Sequence, residues 1–269
     1  FGGFWVFFGD TVKEEYAAYK KSSAPILLYH AVGEPVEIEW PPGMILSASL
    51  FEEHLQYLTQ EEYQIITVAE LAERLKFGYS VEKFVAMSFD DGYRNNHSEA
   101  LPLLKKYNAK ASFYIVDRDI GKTIYMNQSQ LFDLLASDME IGSHTINHAP
   151  LALIDPKYLP WEIGSAKKFL EKKLDGYVLQ GKAYPNGGYN KNVINAMQEY
   201  GFVYGLTGKV GANTHQNFAK APYEMYRISI VDDGSGLEGF KRRLERAYIW
   251  GYLQTKGIDL NILREMLMK

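Results

Sequence analysis

The segment Ser88-Phe89-Asp90-Asp91-Gly92 follows an apolar run, Phe84-Val85-Ala86-Met87. An apolar strand ending in two adjacent carboxylates and a glycine sets both acids at the carboxyl edge of a sheet, where α/β folds place their chemistry. Two such acids repel each other unless a cation or a shared proton offsets the charge, although Asp-Asp-Gly is also ordinary turn chemistry. A second stretch, Ser143-His144-Thr145-Ile146-Asn147-His148, carries two imidazoles four residues apart. On a helical turn, or a loop that curls like one, that spacing lets both bind a single ion. An Asp-His-His set leaves coordination positions open for water and substrate, the arrangement of a catalytic metal. Such a metal lowers the pKa of its water and polarises a carbonyl, and the second carboxylate is free to take the water's proton. The spacing does not say which aspartate plays which part.

Composition narrows the field. The chain has no cysteine, so disulfides, thiolate nucleophiles and Cys-ligated zinc are excluded, and any metal must be held by His, Asp or Glu. A net charge of -4 gives no basic footprint for nucleic acid. A length of 269 residues suits one α/β barrel, expected over 25–269, with residues 1–24 as an N-terminal extension. The apolar start, Phe1 to Phe8, is too short to span a bilayer and reads as a disordered or self-packed terminus or the remnant of a signal or anchor. Attachment to a membrane or cell surface through it is therefore an expectation. Twenty tyrosines supply rings suited to cores and to the faces of sugars.

The elements that must position these groups follow from periodicity and caps. Ile26-Leu27-Leu28-Tyr29 reads as a buried strand delivering His30, followed by a Pro- and Gly-rich loop from Gly33 to Gly43. Ser49 with Glu52, and Thr67 with Glu70, are capping boxes opening helices over 49–60 and to Phe77, around a strand at 64–66. After the acidic strand come a helix over 96–106, a strand at 111–116, a helix at 128–137 capped by Asn127 and Gln130, and a strand at 139–142. A helix over 157–174, a strand at 178–184, a helix at 191–200 and a strand at 202–205 follow. A loop through 208–221, a strand at 227–231, a helix from Ser235 to Trp250 and a terminal helix at 260–267 complete the chain. Roughly eight short strands separated by helices predict an α/β fold, a parallel barrel of irregular form.

The two chemical stretches carry a resemblance. Ser88-Phe89-Asp90-Asp91-Gly92 matches the Thr/Ser-Phe-Asp-Asp-Gly motif, and Ser143 to His148 the Ser-His-Ser/Thr-x-x-His motif, of the polysaccharide deacetylases, the NodB-homology carbohydrate esterases. The likeness runs from about Ala24 to about Ala247. It implies a distorted (β/α) barrel of the NodB type that removes acetyl groups from N-acetylated sugars. It also implies Asp90 as general base and Asp91, His144 and His148 as ligands of a divalent ion, zinc first, with nickel or cobalt as the family's other metals.

Tyr184-Pro185-Asn186-Gly187 sits where the family has a loop whose backbone N–H steadies the oxyanion, with Asn186 replacing the usual Tyr. Ala183 stands where many members carry an Arg that orients the base. No histidine follows Arg227, so His30 is assigned as the acid that protonates the leaving amine. It matches the Tyr-His that opens a circularly rearranged subgroup resembling the poly-N-acetylglucosamine deacetylases of biofilm matrices. His215 is the rival acid; His54 and His97 are read as surface residues. Tyr184, Pro185, Tyr93 and Trp40 are expected to touch substrate, with Trp161 and Tyr189 as further sugar platforms.

The resulting expectation is a monomeric, extracellular or surface-attached polysaccharide N-deacetylase. Two alternatives stand beside it: a non-catalytic carbohydrate-binding protein on the same fold, motivated by Ala183 and Asn186, and an esterase acting on O-acetyl xylan.

Overall fold

A computed structural model describes residues 10–34 and 43–258. Phe1 to Phe8, Trp40 and the helix expected at 260–267 lie outside the described residues. The strands, in chain order, are β1 (Ser23–Tyr29), β2 (Ala31–Val32), β3 (Ile45–Leu46), β4 (Gln64–Ile66), β5 (Phe84–Phe89) and β6 (Ser112–Ile115). They continue with β7 (Glu140–Ser143), β8 (Gly181–Ala183), β9 (Tyr204–Leu206), β10 (Ala212–Thr214) and β11 (Ile228–Ser229). The helices are α1 (Asp10–Lys21), α2 (Ala48–Gln60), α3 (Val68–Phe77), α4 (Leu101–Lys106), α5 (Gln128–Ala136), α6 (Ala166–Lys173), α7 (Lys191–Glu199), α8 (His215–Lys220) and α9 (Gly236–Thr255).

The order β1-β5-β6-β7-β8-β9 is parallel throughout, and β4 lies along the first half of β5. The free edge of β9 meets Met225 in a parallel bridge, and three residues later β11 pairs with Leu27 and Leu28 of β1. The curled sheet is thus joined around through the segment 225–229, which makes the expected distorted barrel. β10 adds to the start of β1 in the antiparallel sense.

Alternation along the strands decides what reaches the barrel mouth, since side chains two apart share a face. Phe84 and Ala86 belong to the interior cluster with Ile26, Tyr114, Ala183, Tyr204 and Leu206. Val85, Met87 and Phe89 pack outward with Leu27, Tyr29, Phe113 and Ile141 under the helices. Continuing the interior parity one step past each strand end gives His30 after β1, Asp90 after β5 and His144 after β7. Three strands therefore deliver three polar residues to one opening. Lower in the barrel, rings fill the interior: a Cβ on Gly142 would lie 2.3 Å from the Tyr114 ring, so only glycine leaves room there.

Several expectations need correction. Residues 10–24 are no loose extension, because α1 packs on α9 with Tyr16 and Tyr19 buried, Lys20 paired to Glu245 (2.7 Å) and the Tyr19 hydroxyl on the Ala212 carbonyl (2.9 Å). Helix α2 is capped by Ser47, whose Oγ accepts from Leu50 N–H, rather than by Ser49. The expected loop through 208–221 contains β10 and α8, opened by a reciprocal cap between Thr214 and Asn217. Ser235 makes no side-chain cap bond to α9, which runs past Trp250 to Thr255. The caps at Thr67 and Asn127 form as expected. Among the described residues no helix is long and apolar enough to cross a membrane.

Candidate active site and metal centre

Asp91 and Gly92 leave β5 in the left-handed region (φ 71° and 78°), and Thr145 and His148 adopt it after β7 (71° and 55°). Non-glycine residues hold that conformation only where the surroundings impose it, and such positions cluster at functional sites. The two kinks bring the carboxylate and both imidazoles together. Asp91 Oδ1 lies 3.5 Å from His144 Nε2 and 3.4 Å from His148 Nε2.

These groups fit one cation. Donors about 2.1 Å from a tetrahedral ion stand ~3.4 Å apart, which matches both separations. The tautomer is also set. His144 Nδ1 lies 2.9 Å from the Ala183 carbonyl, which can only accept, so Nδ1 carries the proton and the Nε2 lone pair faces Asp91. Burial holds the His144 imidazole below its ordinary pKa, against the opposing pull of Asp90 and Asp91, which keeps it neutral as a ligand must be. Among the described residues, Asp91, His144 and His148 are the one His/Asp/Glu group whose donor atoms converge this closely. His144 is buried while the His148 side chain is 38% exposed, so the open side of the site is at His148.

Asp90 stands beside the trio without joining it. Its backbone N–H donates to the Tyr29 carbonyl (3.0 Å), which ties the ends of β5 and β1 together and sets His30 next to the acids. One oxygen, Oδ1, accepts from Arg227 Nη1 at 2.8 Å; the other, Oδ2, faces His144 Nε2 at 3.9 Å. Burial pushes the Asp90 carboxyl up, but Arg227, through its charge and its hydrogen bond, outweighs it and holds it below the usual carboxylate range.

Arg227 is the functional residue that sequence reasoning missed. It is buried, anchored by Nε to the Thr207 carbonyl (3.2 Å), and lies 137 positions from the acid it orients. The guanidinium absent at Ala183 thus enters from the other side of the barrel, while Ala183 contributes its carbonyl to His144. A lone arginine opening the apolar stretch Arg227-Ile228-Ser229-Ile230-Val231 was the available signal, since an arginine on a buried strand needs a partner.

His30 follows β1; its carbonyl accepts from Asn96 Nδ2 (2.9 Å), and its buried Nδ1 has no hydrogen-bond partner among the described residues. Burial lowers its pKa, opposed by Asp90 and Asp91 and reinforced by Arg227 and His148, so it belongs to the same electrostatic cluster. His215 does not: it starts α8 beside Ser23, at the entry end of β1, with Nδ1 2.5 Å from the Leu75 carbonyl. The strand length separates it from Asp90. His54 is not a surface residue either, being buried with its ring stacked on Phe240 (4.0 Å between centroids) and Nδ1 facing the Tyr29 hydroxyl. His97, partly exposed, meets Asp133 as a surface residue would.

The loop after β8 forms a tight turn at Pro185–Gly187, with Asn186 exposed and left-handed (φ 56°), a conformation asparagine tolerates well. The N–H groups of Gly187 and Gly188 are used inside the turn. Tyr184 corrects an expectation: it has the outward parity, is fully buried, and its hydroxyl donates to the Tyr223 carbonyl (3.0 Å), so it does not face substrate. Pro185 is buried as well. Tyr93 stacks on Tyr125 (5.2 Å) and its phenol is hydrogen-bonded to Asp91, which places it at the rim. Tyr189 lies over Tyr184 with its hydroxyl on Glu224, and Trp161 packs edge-on against Phe169, 48% exposed.

A family model described as polysaccharide deacetylase matches residues 78–205, the span holding both acids and both imidazoles. Bacillus subtilis YxkH, named a polysaccharide deacetylase, is 28% identical over 218 residues, which are 81% of this chain and 75% of that protein. A poly-β-1,6-N-acetyl-D-glucosamine N-deacetylase of Staphylococcus epidermidis is 26% identical over 213 residues, 70% of this chain and 73% of its own. Among solved structures, a Streptococcus pyogenes deacetylase in complex with acetate superposes with a TM-score of 0.74 at 25% identity, covering 83% of this chain and 99% of that one. Over residues 78–205 the chain carries a polysaccharide deacetylase domain, and by class it is a carbohydrate deacetylase, a hydrolase.

Proposed function

We propose that the chain is a metal-dependent N-deacetylase of N-acetylglucosamine-containing polysaccharide, of the biofilm poly-N-acetylglucosamine or cell-wall kind. The observation that carries this reading is the convergence of Asp91, His144 and His148 beside an Asp90 whose one oxygen is tied to Arg227 and whose other faces His144 Nε2 at 3.9 Å. Asp91, His144 and His148 would hold a divalent cation, zinc by the nitrogen and oxygen donors with nickel or cobalt as the other ions, which would lower the pKa of a bound water and polarise the acetyl carbonyl.

The chain's own groups do the rest. Asp90, ionised at neutral pH, takes the water's proton on Oδ2 while Arg227 fixes the carboxylate plane through Oδ1. The Asn186 N–H, in the turn closed by those of Gly187 and Gly188, stabilises the oxygen on which charge develops. His30, whose Nδ1 has no hydrogen-bond partner among the described residues, gives its proton to the departing amine; burial makes its imidazolium reluctant to form and therefore ready to release the proton. Acetate and a glucosamine unit result. Tyr93, and Trp40 from outside the described residues, are the substrate contacts retained from the sequence.

The similarity to the Staphylococcus epidermidis enzyme supports the polymer assignment. A polymeric substrate in turn favours action outside the cell or at its surface, and a site assembled within one chain favours a monomer. The departures that motivate a carbohydrate-binding reading weigh less here, since Arg227 stands in for the arginine absent at Ala183 and Asn186 suits its turn. A panel of acetylated glycans tests the proposal: acetate release from poly-N-acetylglucosamine or peptidoglycan fragments is expected. Release from acetylated xylan alone would make the chain an O-acetyl esterase, and release from none would make it a binding protein.

A further inference from the structure

The turn that carries His144 and His148 is held from behind by a side chain that touches neither imidazole. Glu162, buried in the helical segment that follows the loop, accepts from the backbone N–H groups of Ile146 and Asn147 through Oε2 (3.1 Å each). Its Oε1 accepts from Asn147 Nδ2 at 2.6 Å. Three donors of the turn thus converge on one carboxylate. The turn also closes on itself, with Ala149 N–H donating to Thr145 Oγ1 (3.3 Å).

Glu162 is itself anchored. Lys182, fully buried on the outward face of β8, donates from Nζ to the Glu162 backbone carbonyl (3.3 Å) and to Ser143 Oγ (2.8 Å). Ser143 immediately precedes His144, so one ammonium ties the root of the ligand turn to the backbone of the residue that braces its middle. A brace is needed because Thr145 and His148 are both left-handed, a backbone that persists only when its surroundings over-determine it.

We propose that Glu162 is a positioning residue for the metal ligands. By fixing the backbone between His144 and His148 it keeps both Nε2 atoms within one coordination sphere of Asp91, and without it the turn relaxes and His148, the more exposed ligand, leaves. This rests on the reading of Asp91, His144 and His148 as the cation site.

The test is the affinity of the metal-stripped full chain for Zn²⁺ and Co²⁺, by competition with a chromophoric chelator, together with the visible spectrum of bound Co²⁺. Glu162→Ala is expected to weaken binding about 10- to 100-fold, as loss of groups that orient ligands does, and to alter the Co²⁺ bands. Glu162→Gln keeps one oxygen for the two backbone N–H groups and is expected to recover most of the affinity. Should Glu162→Ala show no cooperative melt, Glu162→Asp, too short to span the three donors, takes its place with the same expectation. Wild-type affinity and spectrum in the folded Ala or Asp variant would overturn the proposal. His144→Ala separates the two layers of argument: lost binding there beside unaltered Glu162 variants defeats only the positioning role, whereas undiminished binding in His144→Ala defeats the site itself.

Discussion

Arg227→Met replaces the guanidinium that holds Asp90 with an apolar chain of similar length, and its consequence follows from the arrangement of charges. Burial alone would raise the Asp90 carboxyl above its ordinary value; Arg227 supplies both the largest opposing charge and a 2.8 Å bond. An arginine in such contact lowers an aspartate by about 1–3 pKa units. Two unit charges 4 Å apart at an effective dielectric of 20 interact by ~4 kcal/mol, enough to decide the balance against burial. Asp90 must be unprotonated to act as base, so the acid limb of the kcat/KM profile should move to higher pH. Zinc affinity should hold, because Arg227 touches none of Asp91, His144 and His148. In Arg227→Lys, which keeps charge but loses the planar fork, the limb should fall between the two. The assay is acetate release across pH with metal saturating. An unmoved acid limb in Arg227→Met, with kcat at the wild-type level, would refute the assignment of Arg227 and of the base it orients.

The remaining predictions are shorter. His144→Ala should weaken zinc binding by at least ~10-fold, since it removes one of three protein ligands, and equilibrium competition reads this directly. His30→Ala should lower kcat by ~100-fold or more with metal affinity retained, the usual contribution of a general acid; unchanged turnover would return the role of acid to another group. Lys182 gives a stability prediction: burial pulls its pKa down to about 7, with Glu162 opposing, while the unfolded side chain stays near ~10.4. Between those values the unfolded chain binds more protons, so stability should rise with pH from about 7 towards 10, by at most ~4 kcal/mol. Urea midpoints should show that rise in the wild type and not in Lys182→Met.

What the sequence makes legible here follows from range. Asp90 and Asp91, and likewise His144 and His148, sit within one strand end or one turn, so spacing alone brings them together, and the strand parity that aims them inward is local too. Arg227 reaches Asp90 only because the barrel closes through the segment 225–229, a fact of topology that no local pattern carries. The alternation that aims Ala183 inward turns Tyr184 outward, which a loop-level reading of Tyr184-Pro185-Asn186 overlooks. His54 was legible and misread: with Phe51, Leu55 and Leu58 it lies on the buried face of α2. Helix α1 hid behind its polar composition, because only Tyr16 and Tyr19, three apart, mark the face that meets α9.

The most direct test strips the full chain of metal with a chelator, restores zinc, nickel or cobalt in turn, and measures acetate released from a poly-N-acetylglucosamine oligomer by the wild type and by Asp90→Asn. The geometry predicts that release stops on chelation and returns with at least one ion in the wild type. Asp90→Asn should bind the same ion through Asp91, His144 and His148 and release nothing measurable. Release that survives chelation, or Asp90→Asn turning over at the wild-type rate, would contradict the account.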